Sequence, residues 1–235
     1  MTAGTERRGP GRPALISRAS IVKAALEISS EQGPRAVTMS AVAARLGVGM
    51  AALYYHLRNL DELLVAVAEE RFAKMPIPDV RLRWDRWLVA FATEFRSLLL
   101  AEPLLVRVPY LSVHQPFPPM VSERALHVLG RDGFEPEATP LLFGEFLRRM
   151  VDLVYAEHAR AEEAEHGVTP IATRRAQAAM VTREEAPHLW EVIDRLELFP
   201  DEFPGVSDFL WDWNLRFEVD GFRAVLGRSG PSPLP

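Results

Sequence analysis

The chain has 235 residues, 48 % of them hydrophobic, a net charge of −5 and no cysteine. This length buries a real core as one large or two small domains, and the missing cysteines exclude disulfides and thiolate metal sites, in keeping with a reducing cytoplasm. Charge is unevenly spread: residues 1–60 carry eight Lys and Arg against three Glu, and the rest nineteen against twenty-nine acids, so a head of +5 sits on a body of −10. Such asymmetry points to a module for a polyanion joined to a domain without that role; chance clustering of arginines is the plain alternative.

In chain order, residues 1–17 are rich in Gly, Pro and Arg and predict a flexible basic arm. Glu6, Arg7 and Arg8 stand where a secretory signal would be apolar, and the apolar run Leu98 to Leu111 is broken by Glu102, Pro103 and Arg107, so neither a leader nor a membrane span is expected. Ser17 or Ser20 is placed to cap a helix carrying Ile21, Val22, Ala25, Leu26 and Ile28, stopped at Gly33-Pro34. Thr38 caps a second, short helix with Val42, Ala43 and Leu46 inward. Gly47 supplies a turn, and a third helix over about 49–56 buries Leu53 and Leu57. Asn59 caps a fourth, with Asp61 and Glu62 in its first turn, where the helix dipole favours anions.

Met75-Pro76-Ile77-Pro78 punctuates the junction to a larger region. There the periodicity predicts helices near 80–100, 103–111, 118–130, 136–165, 171–181, 185–197 and 204–227, with no alternating strand, repeat or heptad run. The expected class is all-α: a helix-turn-helix domain over 18–65, a larger helical domain over 66–228 and a flexible tail over 229–235.

The second and third helices form the first functional candidate. Ala43 and Gly47 are small where two helices must cross steeply, and Val42, Leu46, Val48 and Leu53 form the plug beneath. An ordinary helical hairpin is the structural alternative. Met50, Ala51, Tyr54 and Tyr55 share one helical face. The hydroxyls of Tyr54 and Tyr55, the His56 ring and the Arg58 guanidinium donate to phosphates, which sets register rather than reading sequence. Thr38, at a helix N-terminus, adds a hydroxyl and backbone N–H donors.

Residues 20–65 resemble the DNA-binding domain of the TetR family of transcriptional repressors. The carrying residues are Ile21 to Gly33, Thr38 to Val48, Leu53-Tyr54-Tyr55-His56-Leu57 and Leu63-Leu64. The resemblance implies a cytoplasmic homodimer, not an enzyme, whose reading helices enter successive major grooves of a near-palindromic double-stranded DNA operator. It implies release when a small-molecule effector binds the larger domain, and no cofactor. It assigns phosphate contacts to Thr38, Tyr54, His56 and Arg58, and base reading to Ser40, Met50, Ala51 and Ala52 beside Gly49. The sequence departs from the family's namesake here: its readers are bare of strong hydrogen-bonding groups, and Leu60 stands where a phosphate-binding lysine is common. Met50, Ala51 and Ala52 pack against thymine methyls but form no bidentate base contacts. Activators and members without a ligand response belong to the same family pattern.

Three further features have competing readings. Arg7-Arg8-Gly9-Pro10-Gly11-Arg12-Pro13 is similar to an AT-hook, which places Arg12 in a narrow minor groove; a solvated leader is the alternative. His158, Glu162 and His166 share a helix face at metal-ligand spacing, but one helix closes a tetrahedral site poorly, and a solvated helix end with no metal is expected. The aromatic residues of the larger region are core candidates first. Family position instead makes Trp87, Phe91, Phe95, Tyr110, His114, Phe117 and Phe143 candidates for an effector cavity. It makes Phe146, Met150, Val154, Phe209, Trp213 and Phe217 candidates for a four-helix dimer interface. A helical hydrolase built on His and Glu is the rival class; no nucleophile–base motif, phosphate-cradling glycine loop or cofactor signature supports it.

Overall fold

A computed structural model describes residues 16–108, 118–166, 175–176, 178–196 and 206–226. Among them every regular element is helical: α1 (Arg18–Gln32), α2 (Met39–Leu46), α3 (Met50–Tyr54), α4 (Leu60–Phe72), α5 (Trp84–Ala101), α6 (Pro119–Arg131), α7 (Thr139–Glu165), α8 (Pro187–Leu196) and α9 (Val206–Leu226). Two 3-10 segments, Pro34–Ala36 and Pro103–Arg107, complete the set. No helix among these residues is long and apolar enough to cross a membrane.

Local chemistry explains most boundaries. Ser17 rather than Ser20 is the N-cap of α1; its hydroxyl accepts from the Ser20 backbone N–H, and Ser20 reciprocates to close a capping box. Of the stretch expected as a helix over 103–111, the described part is instead a short 3-10 segment, Pro103–Arg107, and residues 109–111 lie outside the described residues. Val108 turns extended at φ −65°, ψ 117°, because the residue before Pro109 is pushed out of the α region. The third helix stops at Tyr54, and Gly49 is its extended N-cap rather than its first helical residue.

The head packs α1 against α2 and α4 around Ile21, Val22, Ile28, Val42, Leu53, Leu63 and Val67. Behind it, α5 lies against α6, α7 and α9. Phe72 of α4 stacks on Phe95 of α5 with centroids 5.7 Å apart, so the core is continuous between the two regions. The Pro103–Arg107 segment touches α1, α4 and the first 3-10 segment of the head, and α5 and α7 of the larger region. Leu104 and Leu105 anchor it with no exposed surface. At its ends, Glu102 pairs with Arg71 of α4 at 2.8 Å, and Arg107 donates to the carbonyls of Pro34 and Val37. Arg35 reaches across to Glu162 of α7 at 2.7 Å. Glu162 is thereby tied to the head. His158 faces the Leu99 carbonyl at 3.3 Å, and His166 faces the Glu162 carbonyl, its own helix backbone, at 2.8 Å.

Candidate nucleic-acid interface

Thr38 begins the site. Its backbone is extended, at φ −135° and ψ 159°, and its hydroxyl oxygen accepts from Ala41 N at 3.0 Å, so α2 starts there. The hydroxyl proton is not consumed by this cap. At the far end of α2, Gly47 takes a left-handed conformation, φ 68° and ψ 33°, which a side chain would strain. The Gly47 and Val48 N–H groups close onto the Ala44 and Ala43 carbonyls at 3.1 and 3.0 Å, a helix stop that satisfies the last turn. The chain then turns tightly into α3. Val42, Ala43 and Leu53 are buried in the crossing, and Leu57 seals the exit.

This leaves a defined outer surface. Thr38, Ser40, Gly49 and Ala51 are exposed, and Ala52 is half-buried. Tyr54 is 48 % and Tyr55 87 % exposed. Tyr55 keeps helical backbone angles as the C-cap of α3, so it extends the face begun at Met50 and Ala51. The half-buried His56 ring lies edge-on to Tyr55, centroids 5.2 Å apart at 88°. Met50 is half-buried and packs on the core, so only part of its side chain reaches outward. Arg58 projects from the α3–α4 loop, 87 % exposed along its side chain.

The electrostatics differ from the sequence expectation. Each cation between residues 16 and 60 has a carboxylate partner: Arg18 with Glu69, Lys23 with Glu27, Arg35 with Glu162, Arg45 with Glu27 and Glu31, and Arg58 with Glu62. The Arg45 guanidinium, hydrogen-bonded to Glu31, holds that carboxyl below its ordinary range. The formal +5 of the head therefore overstates its field, and the rest of its basic charge belongs to the arm. Arg12, in that arm, lies outside the described residues.

Of the expected effector-site residues, Trp87, Phe91, Phe95 and Phe143 come together. Trp87, Phe91 and Phe95 stack along α5 with centroids 5.3 and 5.9 Å apart, and Phe143 sits edge-on to Phe91 at 5.7 Å. Tyr110, His114 and Phe117 lie outside the described residues. The expected interface set divides. Phe209, Trp213 and Phe217 form a stripe on α9, 61, 57 and 63 % exposed, with the last two rings stacked at 6.0 Å. Phe146, Met150 and Val154 point the other way and have no exposed surface within this one chain, so they are core rather than interface. Their spacing puts them on one face of α7 but does not say which face turns inward. The exposed large apolar residues of α7 are Leu141 and Tyr155, which sit far apart along the helix and form no periodic stripe that would single them out in the sequence. Arg149 and Glu218, 3.1 Å apart, and Arg96 between Glu157 and Asp208 bind the helices of this region together.

Residues 21–67 match the family model described as bacterial regulatory proteins, tetR family. The chain is 38 % identical over 85 residues to the tetracycline repressor protein class A from transposon 1721 of Escherichia coli, covering 35 % of this chain and 39 % of the relative. It is 34 % identical over 90 residues to the class D repressor of Escherichia coli, covering 37 % and 41 %. The match thus spans about two-fifths of these relatives' length. Over the whole chain the likeness is one of fold. Apo ActR of Streptomyces coelicolor superposes with a TM-score of 0.73 at 21 % identity, over 92 % of this chain and all of that one. The same protein in complex with actinorhodin superposes at 0.72 with 22 % identity, over 91 % and 98 %. A helix-turn-helix with this cap and this turn thus carries the sequence matched by the tetR family model at residues 21–67, and it is set on a helical body that shares its fold with ActR.

Proposed function

We propose that the chain is a transcriptional regulator of the TetR family, a ligand-responsive repressor that binds a near-palindromic operator as a homodimer and leaves it when a small molecule occupies the larger region. The observation that carries the reading is the Thr38-capped α2, left-handed Gly47 and short α3, which leave Ala51, Tyr54 and Tyr55 on one exposed face. Thr38, Tyr54, His56 and Arg58 hold phosphates. Ser40, Gly49, Met50, Ala51, Ala52 and Tyr55 meet base edges, mostly through apolar contact with thymine methyls. With so few hydrogen-bonding readers, DNA shape supplies a large share of the specificity. An Arg12 seated in the minor groove adds to it.

The dimer forms through the exposed stripe of Phe209, Trp213 and Phe217, joined by Tyr155 of α7; three neighbouring exposed aromatics on one helix are costly unless covered. The effector binds among the α5 aromatics and Phe143. A solved ActR structure holds actinorhodin, which supports an organic, aromatic-compatible ligand here. Two links support coupling to the head: Phe72 stacked on Phe95, and the Pro103–Arg107 segment pinned to α4 through Glu102 and to the first 3-10 segment through Arg107. Effector binding shifts the operator-bound population only by its differential affinity for the two states. Action on DNA implies work in the cytoplasm, and relatives that are repressors support a role without catalysis.

The test is selection of duplexes from a randomised pool by the purified full chain, followed by titration over a range of salt. Retention of a near-palindromic site, with affinity falling steeply as salt rises, supports the reading. Failure to enrich any duplex overturns it.

A further inference from the structure

Glu62 makes an unusual set of bonds for the first turn of a helix. One carboxylate oxygen accepts from the backbone N–H of Arg58 at 2.7 Å, and the other from the Nε of the same residue at 2.5 Å. The N–H of Glu62 donates to the Asn59 side-chain oxygen at 2.8 Å. Arg58 and Asn59, which join α3 to α4, are thus gripped from both directions by one residue of α4. The Arg58 main-chain N–H, hydrogen-bonded to Glu62, pulls that carboxyl below its ordinary range, and the guanidinium adds to the effect.

The grip uses only Nε. Neither Nη atom of Arg58 has a partner among the described residues, and the side chain is 87 % exposed. An arginine on a solvent-exposed loop ordinarily samples many rotamers, and freezing them costs binding free energy. A carboxylate fixed by the start of α4 removes part of that cost in advance and leaves the paired Nη edge facing outward, the geometry that suits a phosphate. Its drawback is charge. Glu62 offsets the long-range attraction of Arg58 for DNA, and Leu60 supplies no replacement cation next to it.

We propose that Glu62 is a positioning residue for DNA binding: it trades the net charge of Arg58 for its aim, and so raises selectivity for the correct site over other DNA. The inference rests on the DNA-binding reading above. Aim matters where the protein sits in one register, whereas complexes with arbitrary sequence depend chiefly on charge.

Glu62→Gln separates the two effects, because the amide oxygen still accepts from Arg58 N but no longer holds the guanidinium. Affinities of the full chain are measured by fluorescence anisotropy for a duplex enriched by the wild type and for a mixed-sequence duplex of equal length, in wild-type and Arg58→Ala backgrounds. Thermal unfolding checks the fold. The expected result is weaker binding of the enriched duplex by about three- to fivefold, the scale of one exposed ion pair. Binding of the mixed duplex should be unchanged or tighter, and Glu62→Gln should add nothing in the Arg58→Ala background. Tighter binding of both duplexes overturns the inference, since Glu62 would then act only as a screening charge. An equal loss in both backgrounds also overturns it, since Glu62 would act only through the helix start. A wild type that enriches no duplex removes the DNA-binding reading itself, and this inference with it.

Discussion

The guanidinium of Arg107 donates to the carbonyl oxygen of Val37 at 3.3 Å, one residue before the threonine that caps α2. The same group also reaches the Pro34 carbonyl. The Pro34 carbonyl already accepts from Val37 N at 3.3 Å, whereas the Val37 carbonyl lies past the end of the 3-10 segment, where the last carbonyls lack a partner within the helix, and this arginine from the larger region supplies one. Arg107→Ala should leave the Val37 carbonyl to solvent and loosen the start of α2. The expected outcome is faster amide exchange across residues 36–42 and a loss of about 1–2 kcal/mol in stability. Unchanged exchange in that stretch would show that the contact carries no constraint.

Thr38 has two roles on one oxygen. Thr38→Ala should destabilise the head by about 1 kcal/mol, the usual cost of a lost N-cap, and weaken operator binding as well. Thr38→Ser restores the cap and should restore both properties. Denaturant unfolding and anisotropy titrations on the same preparations check the pair.

Met50 and Tyr54 differ in what they are expected to touch. Met50→Ala should relax preference at one or two base pairs, measured by sequencing the pool each variant retains. Because Met50 also packs on the core, a small loss of stability should accompany it. Tyr54→Phe should weaken binding to every duplex about equally, with little change in the salt slope, because the lost hydroxyl is uncharged.

Trp213 and Val154 should respond in opposite ways to the same change. Trp213→Glu puts charge on an exposed stripe, so the subunit should keep its helical content while sedimentation reports a shift from dimer to monomer. Val154→Glu buries an unpaired carboxylate at a site with no exposed surface, and should unfold the larger region instead. A folded monomer from Val154→Glu would reverse the orientation of α7 described above.

Asp132 ties two helices together. Its carboxylate accepts from Trp84 N at 2.8 Å, at the start of α5, and from the adjacent Arg131. The Arg131 guanidinium, and then the Trp84 N–H, hold its pKa below the ordinary value of 3.8. A carboxyl depressed in the folded state contributes stability that is complete above its unfolded pKa and is lost as pH falls through the folded one. Stability should therefore be flat in this respect above about pH 5 and decline below about pH 4. In Asp132→Asn that part of the acid dependence should be missing, as measured by denaturant midpoints at successive pH values.

Features that rest on neighbours along the chain are legible in the sequence itself. Thr38, Gly47 and Asn59 act on backbone groups three or four residues away, so the starts of α2 and α4 and the turn between the crossing helices follow from local rules. Helical spacing puts Ala51, Tyr54 and Tyr55 on one face of α3, and the apolar Leu53 on the other side marks which face turns inward. The grip of Glu62 on Arg58 is equally local, yet a first-turn acid is so common that its spacing does not distinguish a dipole partner from a clamp.

The helical class and the grouping of Thr38, Tyr54, Tyr55 and Arg58 on the helix-turn-helix head can therefore be read along the chain, because capping and periodicity are short-range. Which side of α7 is core, the pairing of the head's cations with carboxylates as distant as Glu69 and Glu162, and the reach of Arg107 to the carbonyl just before α2 come from the packing. These depend on how helices pack. A helical repeat fixes which residues lie together, while direction and partner are set by burial against elements far away along the chain.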